Sequence, residues 1–232
     1  MSASSAPTPS LAPCRLCGDL GRLIQGHVIP QFVYRAHFFA TASERDRRVH
    51  DGPTRPMLCR RCESDFSRHE SEFARELFHP FRRSREVRVT YRAWLRKFAA
   101  SVCWRILETT LSEAPSAFLV ARWSNEIAAT RAVWRDFLSG RRTDVGAHHL
   151  HFVAWFPDSE TGTERKEITM ELVGDERDAF VVAGLGEMIF VGVIQESEPA
   201  AWQGTRLHAE GRVKPRDCAM PRRVRAHLLA GG

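Results

Sequence analysis

Apolar residues recur along this chain with two periods, and each period predicts a different kind of element. Over residues 89–109, Tyr91, Trp94, Leu95, Phe98, Val102 and Ile106 return at three-and-four spacing. That draws one apolar stripe on a helix and assigns Arg92, Arg96, Lys97 and Arg105 to the solvent side. A second helix is expected over residues 115–138. Pro115 suits its first turn and Gly140 its C-terminal stop. Phe118, Leu119, Trp123, Ile127, Trp134 and Phe137 supply its inward face. Phe66, Phe73 and Leu77 share one face of a further helix, which Pro80 should end. Residues 23–30 read as a short strand stopped by Pro30. Residues 31–39 read as a short helix.

After Gly146 the period falls to two. Residues 149–156, 166–173, 179–182 and 188–194 read as strands. In the second of these, Ile168, Met170 and Leu172 face one way and Glu167, Thr169 and Glu171 the other. That is the pattern of a half-buried antiparallel strand. Turns at 158–163 and 184–186 would join hairpins, and a small meander packed on the long helices is the simplest arrangement. The fold class is therefore α+β.

Four segments follow. Residues 1–12 are rich in Ser, Ala and Pro and are expected to be disordered. Residues 13–80 hold two cysteine pairs, with an exposed loop over 42–55. Residues 81–200 carry the helices and strands. Residues 201–232 form a basic tail with Arg206, Arg212, Lys214, Arg216, Arg222, Arg223 and Arg225. The tail is either a nucleic-acid arm or a soluble end.

Composition narrows this picture modestly. The 232 residues include 34 Lys and Arg against 28 Asp and Glu, a net charge of +6. That suits a polyanionic partner or simply a solvated basic surface. No apolar run reaches membrane-spanning length, since residues 179–195 are broken by Glu187 and three glycines. The first ten residues lack the features of a secretory signal. The expectation is a cytoplasmic protein with reduced thiols and no membrane partner.

The sharpest chemical signal is Cys14-x-x-Cys17 with Cys59-x-x-Cys62. Two such turns supply four thiolates, enough for a tetrahedral zinc shell. Reduced pairs or a disulfide framework are the alternatives. Cys103 falls on an apolar helix face and reads as core; Cys218 has no assignable role. His148, His149 and His151 resemble a metal tract. His149 and His151 share a strand face, however, and without a third ligand they read as solvent-facing. Asp175, Glu176 and Asp178 read as a turn.

Between and around the cysteine pairs the order is Cys14-x-x-Cys17, Gly26-His27-Val28-Ile29-Pro30, then Leu58-Cys59-Arg60-Arg61-Cys62-Glu63. Over about residues 13–80 this resembles the zinc-bracketed HNH (ββα-metal) endonucleases. The resemblance implies a treble-clef-like module in which Cys14, Cys17, Cys59 and Cys62 hold a structural Zn²⁺. It implies that His27 is the general base for phosphodiester hydrolysis. It also implies a separate catalytic Mg²⁺ or other divalent metal, and DNA as partner. Arg60, Arg61, Arg68, Arg82, Arg83 and Arg85 would then track phosphates.

Three positions depart from the family pattern. Gly26 stands where a metal-binding Asp or His is expected. Thr54 falls near the expected Asn. Glu63 replaces a His, although its carboxylate suits a hard cation. On the predicted helix Asp65 projects roughly opposite Glu63, and His69 is better placed to add a ligand. The alternative is a catalytically inactive zinc module in which His27 locks the knuckle through a hydrogen bond to a backbone carbonyl. Such a protein would serve as a nucleic-acid or protein scaffold, with the β part free for a protein partner.

Overall fold

The computed structural model describes residues 11–38, 51–113, 115–154, 168–198, 200–215 and 218. Its first sheet joins β1 (Leu11–Pro13), β2 (Leu20–His27) and β3 (Thr54–Cys59) in antiparallel order. Leu11 and Ala12, expected to be disordered, pair with Arg22 and Gly21 along the edge of β2. The helix α1 (Gln31–Phe38) follows β2 as the sequence predicts. Residues 42–50 of the expected loop lie outside the described residues, and Thr54 and Arg55 already belong to β3.

The helix after the second cysteine pair runs further than its proline suggested. It comprises α2 (Arg60–Phe73), a π turn over Ala74–Phe78, and α3 (His79–Arg83). Pro80 does not terminate it. The π turn restarts the hydrogen-bond ladder, so Pro80 falls in the first turn of α3, where its missing N–H is tolerated.

The strongest helix also begins later than its apolar stripe suggested. Val89–Tyr91 form a strand, β4, and the helix α4 spans Ala93–Ser112. The β-branched pair Val89-Thr90 finds a ladder partner in β9 (Gly211–Val213), more than a hundred residues away. Helix α4 has almost no solvent face beyond its first turns. Every residue from Phe98 to Thr109 is buried, including Ser101, Arg105 and Glu108. Arg105, assigned above to the solvent side, is 1% exposed.

Helix α5 (Ala117–Leu138) packs beside α4 and kinks at Trp123 (φ −121°, ψ 18°). Trp123 donates its indole N–H to the Asp175 carbonyl at 2.9 Å. Phe118, expected to face inward, is 49% exposed, whereas Leu119 beside it is buried.

The larger sheet contains β5 (Leu150–Ala154), β6 (Ile168–Gly174), β7 (Ala179–Leu185) and β8 (Met188–Val193) in the order β5-β8-β7-β6, all antiparallel. The meander therefore holds for β6 to β8, while β5 returns to the far edge of β8. Strand β7 continues through Gly184, and the turn lies at Gly186 and Glu187. The expected turn at 158–163 lies outside the described residues. The carboxylate of Asp175 accepts the backbone N–H groups of Arg177 and Asp178, as a turn cluster should.

One face of this sheet lies on α4, where Phe73 and Phe98 stack at 3.9 Å between centroids and both meet Phe190 edge-on. The other face is covered by Trp202, which stacks on Phe180 at 4.8 Å. Burial on both faces corrects the reading of the histidines. His151 is fully buried beside Trp202 and pairs with Thr205 Oγ1 at 3.1 Å. His148 is buried against Thr130 Oγ1 at 2.9 Å and the Ile194 carbonyl at 3.0 Å. Trp202, Leu207 and Val213 bury part of the expected basic tail in the body, while residues 219–232 lie outside the described residues. Cys103 is core, as expected, and Cys218 is buried as well.

At Gly192 on β8 a helix side chain lies directly against the sheet backbone. The Trp134 indole occupies the space that a Cβ there would need. Trp134 is fully buried and donates to the His148 carbonyl at 3.0 Å, so it has little room to yield. Gly192→Ala should destabilise the protein by about 1–3 kcal/mol. A urea denaturation midpoint equal to that of the unmodified chain would show that the sheet and α5 are not in this register.

Candidate metal centre

The first cysteine pair sits in the turn between β1 and β2. The Gly18 N–H bonds to the Cys14 carbonyl at 2.8 Å, and the Cys14 N–H to the Asp19 carbonyl at 2.9 Å. These bonds close a tight loop that points both sulfurs one way. The second pair spans the end of β3 and the first turn of α2. The two turns meet because β2 and β3 are paired, with Leu23 opposite Cys59. The Cys59 N–H donates to Cys14 Sγ at 3.3 Å.

All four sulfurs lie within 4.8 Å of one another, and Cys17 Sγ and Cys59 Sγ are 3.9 Å apart. The cysteines are free thiols. A tetrahedral thiolate shell at a metal–sulfur length of about 2.3 Å places sulfurs about 3.8 Å apart. The cluster is therefore able to hold a metal ion. Burial pushes the Cys62 thiol up, and hydrogen bonding to Cys59, the charge of Cys14 and hydrogen bonds to Cys17 and Cys14 push the same way. A cation removes that penalty by stabilising the thiolates together.

His27 is the last residue of β2, with Thr54 directly opposite on β3. Glu63 lies in the first turn of α2, immediately after Cys62. The two elements meet at Gly26. A Cβ at Gly26 would lie 2.8 Å from both Glu63 Oε1 and Oε2. The carboxylate thus occupies the volume that a side chain at position 26 would fill. Burial raises the Glu63 pKa, with the charge of Glu70 adding and that of Arg105 opposing. Burial also lowers the His27 pKa against the opposing charges of Asp51 and Glu70. His27 is therefore a neutral imidazole near pH 7.

Two residues at this site lie outside the candidates chosen from sequence. Arg105 reaches in from α4 and donates to the His27 carbonyl at 2.6 Å and to Glu70 Oε1 at 2.5 Å. Its guanidinium also lies over the Phe66 ring at 5.4 Å. Glu70 is seven residues after Glu63 and returns to the same face of α2. The same spacing was available for Arg105, seven residues after the core residue Phe98. Its charge argued for solvent, and its spacing argued for burial.

His69 turns elsewhere. It lies about 120° around α2 from Glu63, and its Nδ1 is 3.7 Å from Glu72 Oε2. Asp65 is exposed and pairs with Arg68 at 2.9 Å. The six candidate arginines are all exposed. Arg61 is paired with Asp19, Arg68 with Asp65 and Arg85 with Glu187. Arg60, Arg82 and Arg83 have no acidic partner among the described residues.

A second clamp ties the knuckle to the helices. Glu108, 4% exposed, accepts from Arg131 at 2.7 and 2.9 Å and from Arg15 at 3.3 Å. Arg15 lies between the first two cysteines. Removing one partner of a buried ion pair strands the other. Arg105→Met should therefore cost about 3–5 kcal/mol of stability in urea titration at pH 7. A loss below about 1 kcal/mol would mean that the guanidinium does not hold His27 and Glu70 together. Comparison with models of protein families, with curated proteins and with solved structures finds no match to this chain.

Proposed function

We propose that this protein is a zinc-stabilised, HNH-like nucleic-acid-binding protein that hydrolyses DNA phosphodiesters with His27 and Glu63. The seating of the Glu63 carboxylate over Gly26, the residue before His27, carries this reading. In the family pattern a metal-binding side chain belongs at position 26. In this chain that volume receives a carboxylate from the helix instead, so the departures at Gly26 and Glu63 compensate each other.

Zinc suits the four sulfurs, since all are thiols and their spacing fits a tetrahedral shell. The β2–β3 pair followed by α2 would be the treble-clef-like frame that this ion braces. Glu63 also fits a hard divalent cation, because Mg²⁺ binds through one or two carboxylates and completes its shell with water and phosphate oxygens. Such an ion supplies Lewis-acid charge to the phosphate when bound. His27, held neutral by burial, accepts the proton of the water that adds to phosphorus as the P–O bond to the leaving group breaks. Arg105 fixes the His27 backbone and neutralises Glu70, which leaves Glu63 as the carboxylate available to a cation.

A second reading has its own support. Glu70 is engaged by Arg105, so Glu63 has no second free carboxylate from that position to share a cation with, and Thr54, near the expected Asn position, pairs across from His27. This favours a catalytically inactive zinc module acting as a nucleic-acid or protein scaffold.

Metal analysis should find about one zinc per chain, lost in Cys62→Ser, and chelation should lower the melting temperature. Preparations that are metal-free yet equally stable would remove the zinc assignment. Supercoiled plasmid should be nicked with Mg²⁺, Mn²⁺ or Ni²⁺. His27→Ala should abolish nicking, and Gly26→Ala should do the same by displacing Glu63, both with zinc content unchanged. Nicking that persists in His27→Ala removes that residue from the chemistry. DNA binding without nicking under any of these metals establishes the scaffold.

A further inference from the structure

The β4–β9 ribbon presents a cationic face. Val89, Tyr91 and Val213 point inward and are buried. Thr90 and Arg212 are directly opposite each other in register, and both are exposed. Arg88 and Arg92 flank β4 two residues either side of Thr90, so the strand alternation puts both on its outward face. Both are exposed. A cleft of 400 Å³ opens on the ribbon, lined by Arg88, Thr90, Gly204, Arg212 and Lys214 among others.

What separates this cleft from others on the surface is its charge balance. The groove between α3 and the β7–β8 turn holds Arg82 and Arg85, and Glu187 lies among them. The cleft beside the first cysteine pair holds Arg15, Arg131 and Arg135, and Glu108 lies among those. No carboxylate lines the ribbon cleft among the described residues. Arg88, Arg92 and Arg212 form no ion pair among the described residues. Glu210, exposed one residue before β9, is a nearby acid in sequence.

This matters for any polyanion. An arginine already paired with a carboxylate must break that pair to bind phosphate. An unpaired one exchanges only condensed counterions and water. Three of the six candidate arginines are paired in this way. The ribbon arginines are not.

We propose that the outward face of the β4–β9 ribbon, through Arg88, Arg92 and Arg212, binds the phosphodiester backbone of DNA. This rests on the nucleic-acid reading above and adds the surface that carries it. Each arginine contributes a phosphate contact and no base readout, so binding is sequence-independent and sensitive to salt.

The test is fluorescence anisotropy on the full chain, with a labelled duplex of about 30 base pairs over a KCl series. Arg88→Gln/Arg92→Gln/Arg212→Gln should weaken binding about tenfold or more at about 0.1 M salt. It should also reduce the slope of log K against log salt by about two to three. Arg122→Gln/Arg135→Gln/Arg177→Gln removes the same charge from exposed positions elsewhere and should change affinity less than about threefold. Unchanged affinity and slope in the ribbon variant, or equal losses in both variants, overturn the assignment while DNA binding itself stands. An unmodified chain that does not bind the duplex overturns the nucleic-acid reading and the ribbon with it. All six positions are exposed, so circular dichroism melts should superimpose and loss of binding cannot be laid to unfolding.

Discussion

Two charges three residues apart on a helix with almost no solvent face hold this protein together. Arg105 and Glu108 both lie in the interior of α4, and both reach toward the cysteine module. Arg105 grips the end of β2 through the His27 carbonyl and α2 through Glu70. Glu108 grips the first cysteine turn through Arg15 and α5 through Arg131. Charges so placed need partners with good geometry, because leaving one unpaired in the interior is expensive. The module is therefore not a bead beside the helices. Its buried residues Cys14, Leu58, Cys62 and Phe66 belong to the same apolar cluster as Trp104 and Phe190.

The clamp also shapes the surroundings of His27 and Glu63. A buried guanidinium next to two glutamates and an imidazole sets the electrostatics there. It quiets Glu70 and leaves Glu63 as the group whose charge is unmatched. Glu63 reaches its place because position 26 has no side chain, so the strand and helix positions are steric complements. An observer comparing side chains position by position would count two losses; the volume they share is filled.

What the sequence revealed follows from how local each signal is. The cysteine turns were legible because a C-x-x-C spacing fixes sulfur geometry within a few residues. The helices α2, α4 and α5 were legible from their stripes. Strand β4 was hidden because its partner lies at residues 211–213 and its apolar residues continue the stripe of α4. The place of β5 beside β8 was hidden for a similar reason, since pairing order depends on contacts that no short window contains. His151 looks solvent-facing in sequence because nothing nearby announces that Trp202 covers the second face of the sheet. Arg105 and Glu70 were missed although their seven-residue spacings were visible. Charge alone suggests exposure, but in a helix surrounded on all sides it decides partnership instead.

The π turn at Ala74–Phe78 has a consequence for the surface beyond it. Such a turn holds one residue more than regular helix would need. Deleting a residue there would rotate all that follows by about 100°. Phe81, now wholly enclosed, would roll outward, and an arginine would take its place against the aromatic interior. The extra residue thus acts as a phase setting: it decides which of Phe81, Arg82 and Arg83 meets water.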